Sequence, residues 1–347
     1  MPPTPDLPLR LALDEGALVA NWRALNRLSG DAAAGAAVKA DAYGLGAVRA
    51  VRALAAAGCA DVFVAWAGEA EPLLGLIEPS RIAVLHGPRD EGEARWIAAA
   101  GLRPVINTPS QARSWIAVGG GLCDVMVDTG INRIGLGLAD LGDDAVRALK
   151  VDVLHSHLAC AEEDSPHNAE QLGRWQHARG ALPHARAALA NSAGITLGAP
   201  YHGDLTRPGL ALYGGIPCSA LAGTIAQVAR PEAALLQVRD IAAGERVGYN
   251  GRFTATEAMR IGVAGIGYAD GYLRAWSGKG LFRHGERALP AIGTVSMDMT
   301  VLDLRAAPDL KEGDWVAADY DLPAASAATG LTQYELLTVL GGRFARR

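Results

Sequence analysis

Short apolar runs, most of them followed by a segment with helical spacing, recur along the first part of the chain. No other feature limits the fold as much. The strand-like runs are the residues leading into Lys39, then Asp61 to Ala65, Arg81 to Leu85, Arg103 to Ile106, Asp124 to Val127, Val151 to Ser156, Arg186 to Ala190 and Asp204 to Thr206. Helix-like segments between them include Asp90 to Ala100, Pro109 to Val118 and His167 to Arg179. Parallel strands need a crossover and are buried on both faces, so this alternation predicts an α/β architecture. Eight such units in about 200 residues suit a TIM (β/α)8 barrel. A doubly wound sheet stays open, because strand order is not written in the pattern.

Beyond Gly215 the texture changes to β-branched runs and turns: Glu232 to Arg239, Arg260 to Ala264, Leu289 to Thr294, Met299 to Leu304 and Asp314 to Ala318. The expected organisation is therefore a barrel over residues 11–215 and a mostly β domain over 216–347, joined by an N-terminal strand at 9–13. Asp14 is placed to cap a helix running to Leu28. The chain has 347 residues, half of them hydrophobic, and a net charge of -5, which gives no reason to expect nucleic acid or an anionic membrane as partner. No stretch approaches the roughly 20 apolar residues that span a bilayer, and the first residues lack the pattern of a leader, so the expected address is the cytoplasm. Cys59, Cys123, Cys160 and Cys218 are scattered without metal-ligand spacing and read as reduced thiols.

The run Ala36-Ala37-Val38 passes into a single lysine, and a glycine-rich turn then opens the amphipathic segment Ala47 to Gly58. Lys39 thus falls at the carboxyl end of a buried strand, where barrels do their chemistry. An ammonium there is costly to desolvate, so its pKa should fall, making Lys39 a candidate imine former. The plain alternative is a strand-end lysine that reaches solvent or pairs with Asp41. The sequence Val38-Lys39-Ala40-Asp41-Ala42-Tyr43-Gly44-Leu45-Gly46 resembles the cofactor-lysine motif of the alanine racemases, barrel-fold (fold type III) enzymes that use pyridoxal 5′-phosphate. The resemblance implies that Lys39 holds this cofactor as a Schiff base and that Tyr43 bonds its phosphate.

Further motifs extend the likeness from about Leu11 to Tyr334. Asp128-Thr129-Gly130-Ile131-Asn132-Arg133 is similar to the segment whose arginine meets the cofactor and the substrate carboxylate. His155-Ser156-His157 ends strand six; the family places a histidine like His157 between a tyrosine and an arginine, whereas His155 has no counterpart and reads as structural. Asn191-Ser192 and Arg207-Pro208-Gly209-Leu210 match the phosphate loops, with Ser192, Gly209 and Leu210 as contacts. Arg207 matches the pyridine-nitrogen partner, and a guanidinium can only donate there. Tyr249 matches the second catalytic base, which in the family enters from the other subunit of a homodimer. Met297 of Ser296-Met297-Asp298 matches a substrate contact, Tyr334 a phosphate contact, and Tyr268 and Arg274 the entrance corridor. No metal is implied, since Glu162, Glu163, Asp164 and His167 match no zinc spacing and acids favour a helix start.

The implied activity is interconversion of L- and D-alanine, with Lys39 and Tyr249 on opposite faces of Cα, supplying D-alanine for peptidoglycan or for alanine catabolism. Two positions depart. Met126 stands where many members carry a lysine, often carbamylated, that orients the arginine, so Arg133 must be held otherwise, for example by a bound anion. Thr294 replaces an entrance arginine, leaving room for a substrate such as serine. The rival readings are a racemase of another amino acid, a barrel-type decarboxylase and a non-catalytic cofactor carrier. Arg207 and the lack of a matching cysteine argue against the decarboxylase, and the residues beyond Gly215 against the carrier.

Overall fold

The computed structural model describes residues 7–346. They divide into two compact units, one spanning Glu15–Ala226 and the other combining the residues before and after it. The division falls at Ala226 rather than at Gly215. The cause is Asn21, buried in the helix Glu15–Leu28, whose amide donates to the carbonyls of Leu212 (3.1 Å) and Ala226 (2.8 Å) and accepts from the Ala226 N–H (2.8 Å). A buried amide is costly to leave unbonded, so this segment stays with the helix.

In the first unit, Ala36–Ala37, Val62–Val64, Ile82–Val84, Arg103–Ile106, Leu122–Met126, Lys150–His155 and Arg186–Ala188 form a parallel seven-stranded sheet in chain order. The eighth strand, Leu205–Thr206, pairs in parallel with Ala33–Ala34, which continues through Gly35 into Ala36–Ala37. On its other side, the amides of Asp204 and Arg207 donate to Ala187 and Ala190, both at 2.8 Å, so the ring closes. Gly35 is required by close approach, because a Cβ there would lie 2.8 Å from the Asp61 carbonyl oxygen and from the Phe63 ring. Helices capped by Asp90, Thr108 and Ser165 follow three of the strands. At the strand starts, Arg103 and Arg186 meet Asp61 at 3.1 and 3.0 Å and Asp152 at 2.8 and 2.7 Å.

The second unit is a mostly antiparallel eight-stranded sheet around the long strand Ala229–Ile241. Leu9–Leu13 pairs antiparallel with it, Leu9 opposite Ala233 and Leu13 opposite Ala229. The strand Leu281–His284, which the sequence pattern does not reveal, forms a hairpin with Arg287–Ile292 around Gly285 at φ 59. Two helices also lie in this unit, Leu322–Thr329 and Gln333–Thr338, capped by Asp321 and Thr332. Among the described residues no helix is long and apolar enough to cross a membrane.

Candidate active site

After Val38 the chain does not enter an ordinary loop. Ala40, Asp41, Ala42 and Tyr43 all have φ between 53 and 57, a left-handed helical turn built from residues with side chains. Each such residue costs about 1–2 kcal/mol, so the turn persists only because its surroundings over-determine it. Within it, Ala42 N–H donates to Val38 and Gly44 N–H to Ala40, both at 2.8 Å. The Asp41 carboxylate accepts from Ala47 N–H (2.7 Å), fixing the start of the helix Ala47–Ala56. Glu69 accepts from Ala40 N–H (2.9 Å) through one oxygen and from Ala65 N–H (2.7 Å) through the other, which ties the turn to the loop after the second strand.

Lys39 opens this turn. Burial holds its amine below the ordinary lysine pKa, with Arg133 and Arg207 acting in the same direction and Glu69 opposing. The amine is therefore closer to a usable base or nucleophile than a surface lysine. At the far end of the turn, the Tyr43 ring lies 4.8 Å from that of Tyr213, whose hydroxyl donates to the Ala37 carbonyl (2.9 Å). Burial raises the Tyr43 phenol to about 12, so it is a hydrogen-bonding group and not an acid.

Tyr43 meets the last two barrel loops at Gly209. A Cβ on Gly209 would sit 2.2 Å from the Tyr43 hydroxyl oxygen, so only glycine leaves this notch open. The Ser192 hydroxyl accepts from the amides of Gly209 (3.0 Å) and Ala211 (3.2 Å), at the start of the short helix Leu210–Tyr213. One notch thus gathers two hydroxyls and the Gly209 and Leu210 backbone, groups of the kind that bind phosphate, with the Gly209 N–H turned to Ser192.

Arg207 is buried beside this notch and donates to the carbonyls of Ala188 (2.7 Å) and Ser156. Burial, with Arg133 adding to it against Asp124, brings its pKa down to about 10, so it still carries its charge at neutral pH. A second histidine touches it: Nη1 lies 3.1 Å from Nδ1 of His155. His155 lies in turn 2.9 Å from Asp124, and Asp124 lies 2.8 Å from Arg103. Both His155 and Asp124 are fully buried, a link that sequence reasoning missed because neither residue belongs to a motif. His157 sits nearby in the field of the same cations. Burial first, then Arg207, Arg133 and Lys39, push its imidazole down to about 3, so it is neutral. Its loop is held by Gln171, which donates to the His157 carbonyl (3.0 Å) and to the Thr129 hydroxyl (3.2 Å).

Arg133 stands exposed on the loop after the fifth strand, and Met126 is buried behind it. That loop is fixed through its backbone, since Asp128 accepts from the amides of Gly130 (2.8 Å), Asn132 (3.1 Å) and Arg133 (2.9 Å). Burial alone would raise the Asp128 pKa, but these bonds outweigh it and hold the carboxylate ionised. His167 bonds the Gly130 carbonyl (3.1 Å) from the helix Pro166–Ala181.

In the second unit, Tyr249 begins a short helical turn after Gly248 (φ 73) and is 69% exposed. Thr294, expected to line an entrance, is buried, and its hydroxyl donates to the Tyr249 carbonyl (3.4 Å). Tyr268 and Met297 lie side by side: the amides of Tyr268 and Ala269 donate to Ser296 and Met297, both at 3.0 Å, over Gly267. Arg274 is exposed on a separate turn, and Tyr334 lies in Gln333–Thr338, whose start Thr332 and Glu335 cap reciprocally.

A parallel barrel in a chain that also carries an antiparallel β unit defines a two-unit class of barrel proteins. Within that class, the chain belongs to the alanine racemase family. Residues 13–217 match the alanine racemase N-terminal domain, and residues 228–347 the alanine racemase C-terminal domain. The chain is 40% identical to an alanine racemase of Acidiphilium cryptum, covering 97% of each. It is 38% identical to the biosynthetic alanine racemase of Agrobacterium fabrum, covering 98% of this chain and 93% of that one. Among solved structures, the alanine racemase of Bartonella henselae with covalently bound pyridoxal phosphate has a TM-score of 0.87 and 34% identity, covering 98% of this chain and 99% of that one.

Proposed function

We propose that this protein is a pyridoxal 5′-phosphate-dependent racemase that interconverts L- and D-alanine. The observation that carries the reading is the coincidence, at the barrel's carboxyl end, of a depressed lysine, a notch only glycine can leave open, and a buried arginine beside both. The notch residues Tyr43, Ser192, Gly209 and Leu210 would hold the cofactor phosphate. Bound there, the cofactor draws electrons from the substrate and acidifies its Cα proton.

Arg207 would donate to the ring nitrogen without protonating it, which would temper the electron withdrawal and favour return of the proton to Cα. Lys39 takes or gives that proton on one face, and Tyr249 on the other. Tyr249 comes from a second copy of the chain, a reading supported by the family resemblance and by its exposed ring. His157 relays between that tyrosine and Arg207. Arg133 and the Met297 backbone meet the substrate carboxylate, and Tyr268 and Arg274 line the approach. Relatives named biosynthetic and catabolic, both from Agrobacterium fabrum, are each 38% identical to this chain, so likeness does not separate the two roles.

The test is to load the protein with pyridoxal 5′-phosphate and follow the circular dichroism of L-alanine, then reduce with borohydride and map the labelled peptide. The expected result is decay to the racemate and a label on Lys39. A folded protein that gives no decay at high concentration, or carries the label elsewhere, ends the reading.

A further inference from the structure

The resemblance assigns no role to His155 or Asp124, yet the two stand in line with Arg207. The three side chains form one buried line with Arg103: Arg207 to His155 at 3.1 Å, His155 to Asp124 at 2.9 Å and Asp124 to Arg103 at 2.8 Å. A guanidinium has no lone pair to offer, so Nδ1 of His155 must be the acceptor of the first bond. The single ring proton of a neutral imidazole then sits on Nε2, where it donates to Asp124. Phe63 holds the ring edge-on at 5.9 Å, which leaves little freedom for rotation.

We propose that His155 is a positioning residue for Arg207, its tautomer locked by Asp124 so that the Nδ1 lone pair fixes the plane of the guanidinium. With His155, Ala188 and Ser156 as acceptors, three of the five N–H groups of Arg207 are committed. The guanidinium cannot turn without breaking them, so its remaining donors are held in one direction. The inference that this direction serves the cofactor's ring nitrogen rests on the functional reading above; the tautomer does not. The carboxylate's part is that of an orienting group behind an imidazole, which selects the tautomer without exchanging a proton with it.

Glutamine at position 155 can reproduce both contacts, accepting from Arg207 through its oxygen and donating to Asp124 through its nitrogen. Leucine fills similar space and reproduces neither. In the full-length protein as purified, nitrogen NMR of the imidazoles should show His155 with Nδ1 bare and Nε2 protonated between about pH 6 and 9. His155→Leu should lower kcat about 10–100-fold with a smaller change in KM, and should shift the absorption band of bound pyridoxal 5′-phosphate. His155→Gln should restore both to within about threefold of the parent. A protonated Nδ1, a His155→Leu variant with the parent's kcat and absorption band, or a folded His155→Gln variant as impaired as His155→Leu would each overturn the proposal. If His155→Leu fails to fold, the glutamine variant and the NMR spectrum decide. A parent protein that racemises nothing would defeat the functional reading, while the NMR spectrum would still judge the tautomer.

Discussion

At the amino ends of the barrel strands, Asp61 and Asp152 each face both Arg103 and Arg186 in ion pairs. At the carboxyl ends, Lys39, Arg133 and Arg207 share one neighbourhood, and Glu69 is the carboxylate whose charge counters the lysine's. The first arrangement is self-sufficient: burial would raise the Asp61 pKa, but Arg186 and Arg103 outweigh it and keep the acid ionised. The second is incomplete. Beyond the effect of burial, Arg133 and Arg207 lower the Lys39 pKa there and Arg133 lowers that of Arg207, a tension that an anionic ligand relieves. One end of the barrel is compensated and the other carries an excess of cations, a contrast that does not depend on any motif.

That contrast can be broken most directly at the amino end. Asp61→Asn removes the carboxylate shared by Arg103 and Arg186, although Arg103 keeps Asp124 and Asp152, and should cost about 2–4 kcal/mol in urea unfolding, with turnover per folded molecule unchanged. Because the folded Asp61 pKa lies below its ordinary value of 3.8, its contribution is complete above that value and is lost as the pH falls below it. Parent and variant should therefore converge in acid, and a gap that persists there would refute the ion-pair account.

A smaller effect is expected in the notch, where Gly209→Ala places a methyl 2.2 Å from the Tyr43 oxygen and forces a shift costing about 1–3 kcal/mol. Cofactor titration should show binding weakened roughly tenfold or more. Unaltered affinity would remove Gly209 from the phosphate site.

The finest test is a slope. In cofactor-free protein the Lys39 pKa is lowered, so the unfolded chain binds more protons in the window below 10.5, and the lysine's contribution to stability rises with pH through it. Lys39→Met should therefore be more stable than the parent near neutrality, with the advantage shrinking as pH approaches the ordinary lysine value. A difference constant with pH would show that the amine is not under strain.

Much of this site was legible along the chain. Lys39 stands out because an apolar run ends in one charge, whereas Ser192, Arg207 and Gly209 stand out only through the resemblance of their loops to those of the family. The choice between His155 and His157 was not legible. Residues two apart point to the same side of a strand, so spacing cannot say which one reaches Arg207. The strand stops at His155, and Asp124, brought in from the neighbouring strand, holds that imidazole against Arg207. The left-handed turn was equally hidden, since Ala40-Asp41-Ala42-Tyr43 carries no local preference for positive φ.

The sequence by itself determined the alternation that makes a barrel, the change to a β unit and the residue types gathered at the strand ends, because these depend on local periodicity and short-range chemistry. The tertiary structure alone decided which charges are compensated, which imidazole meets the arginine and how the lysine is presented. Those outcomes depend on contacts between residues tens to hundreds of positions apart, and such contacts exist only once the ring has closed.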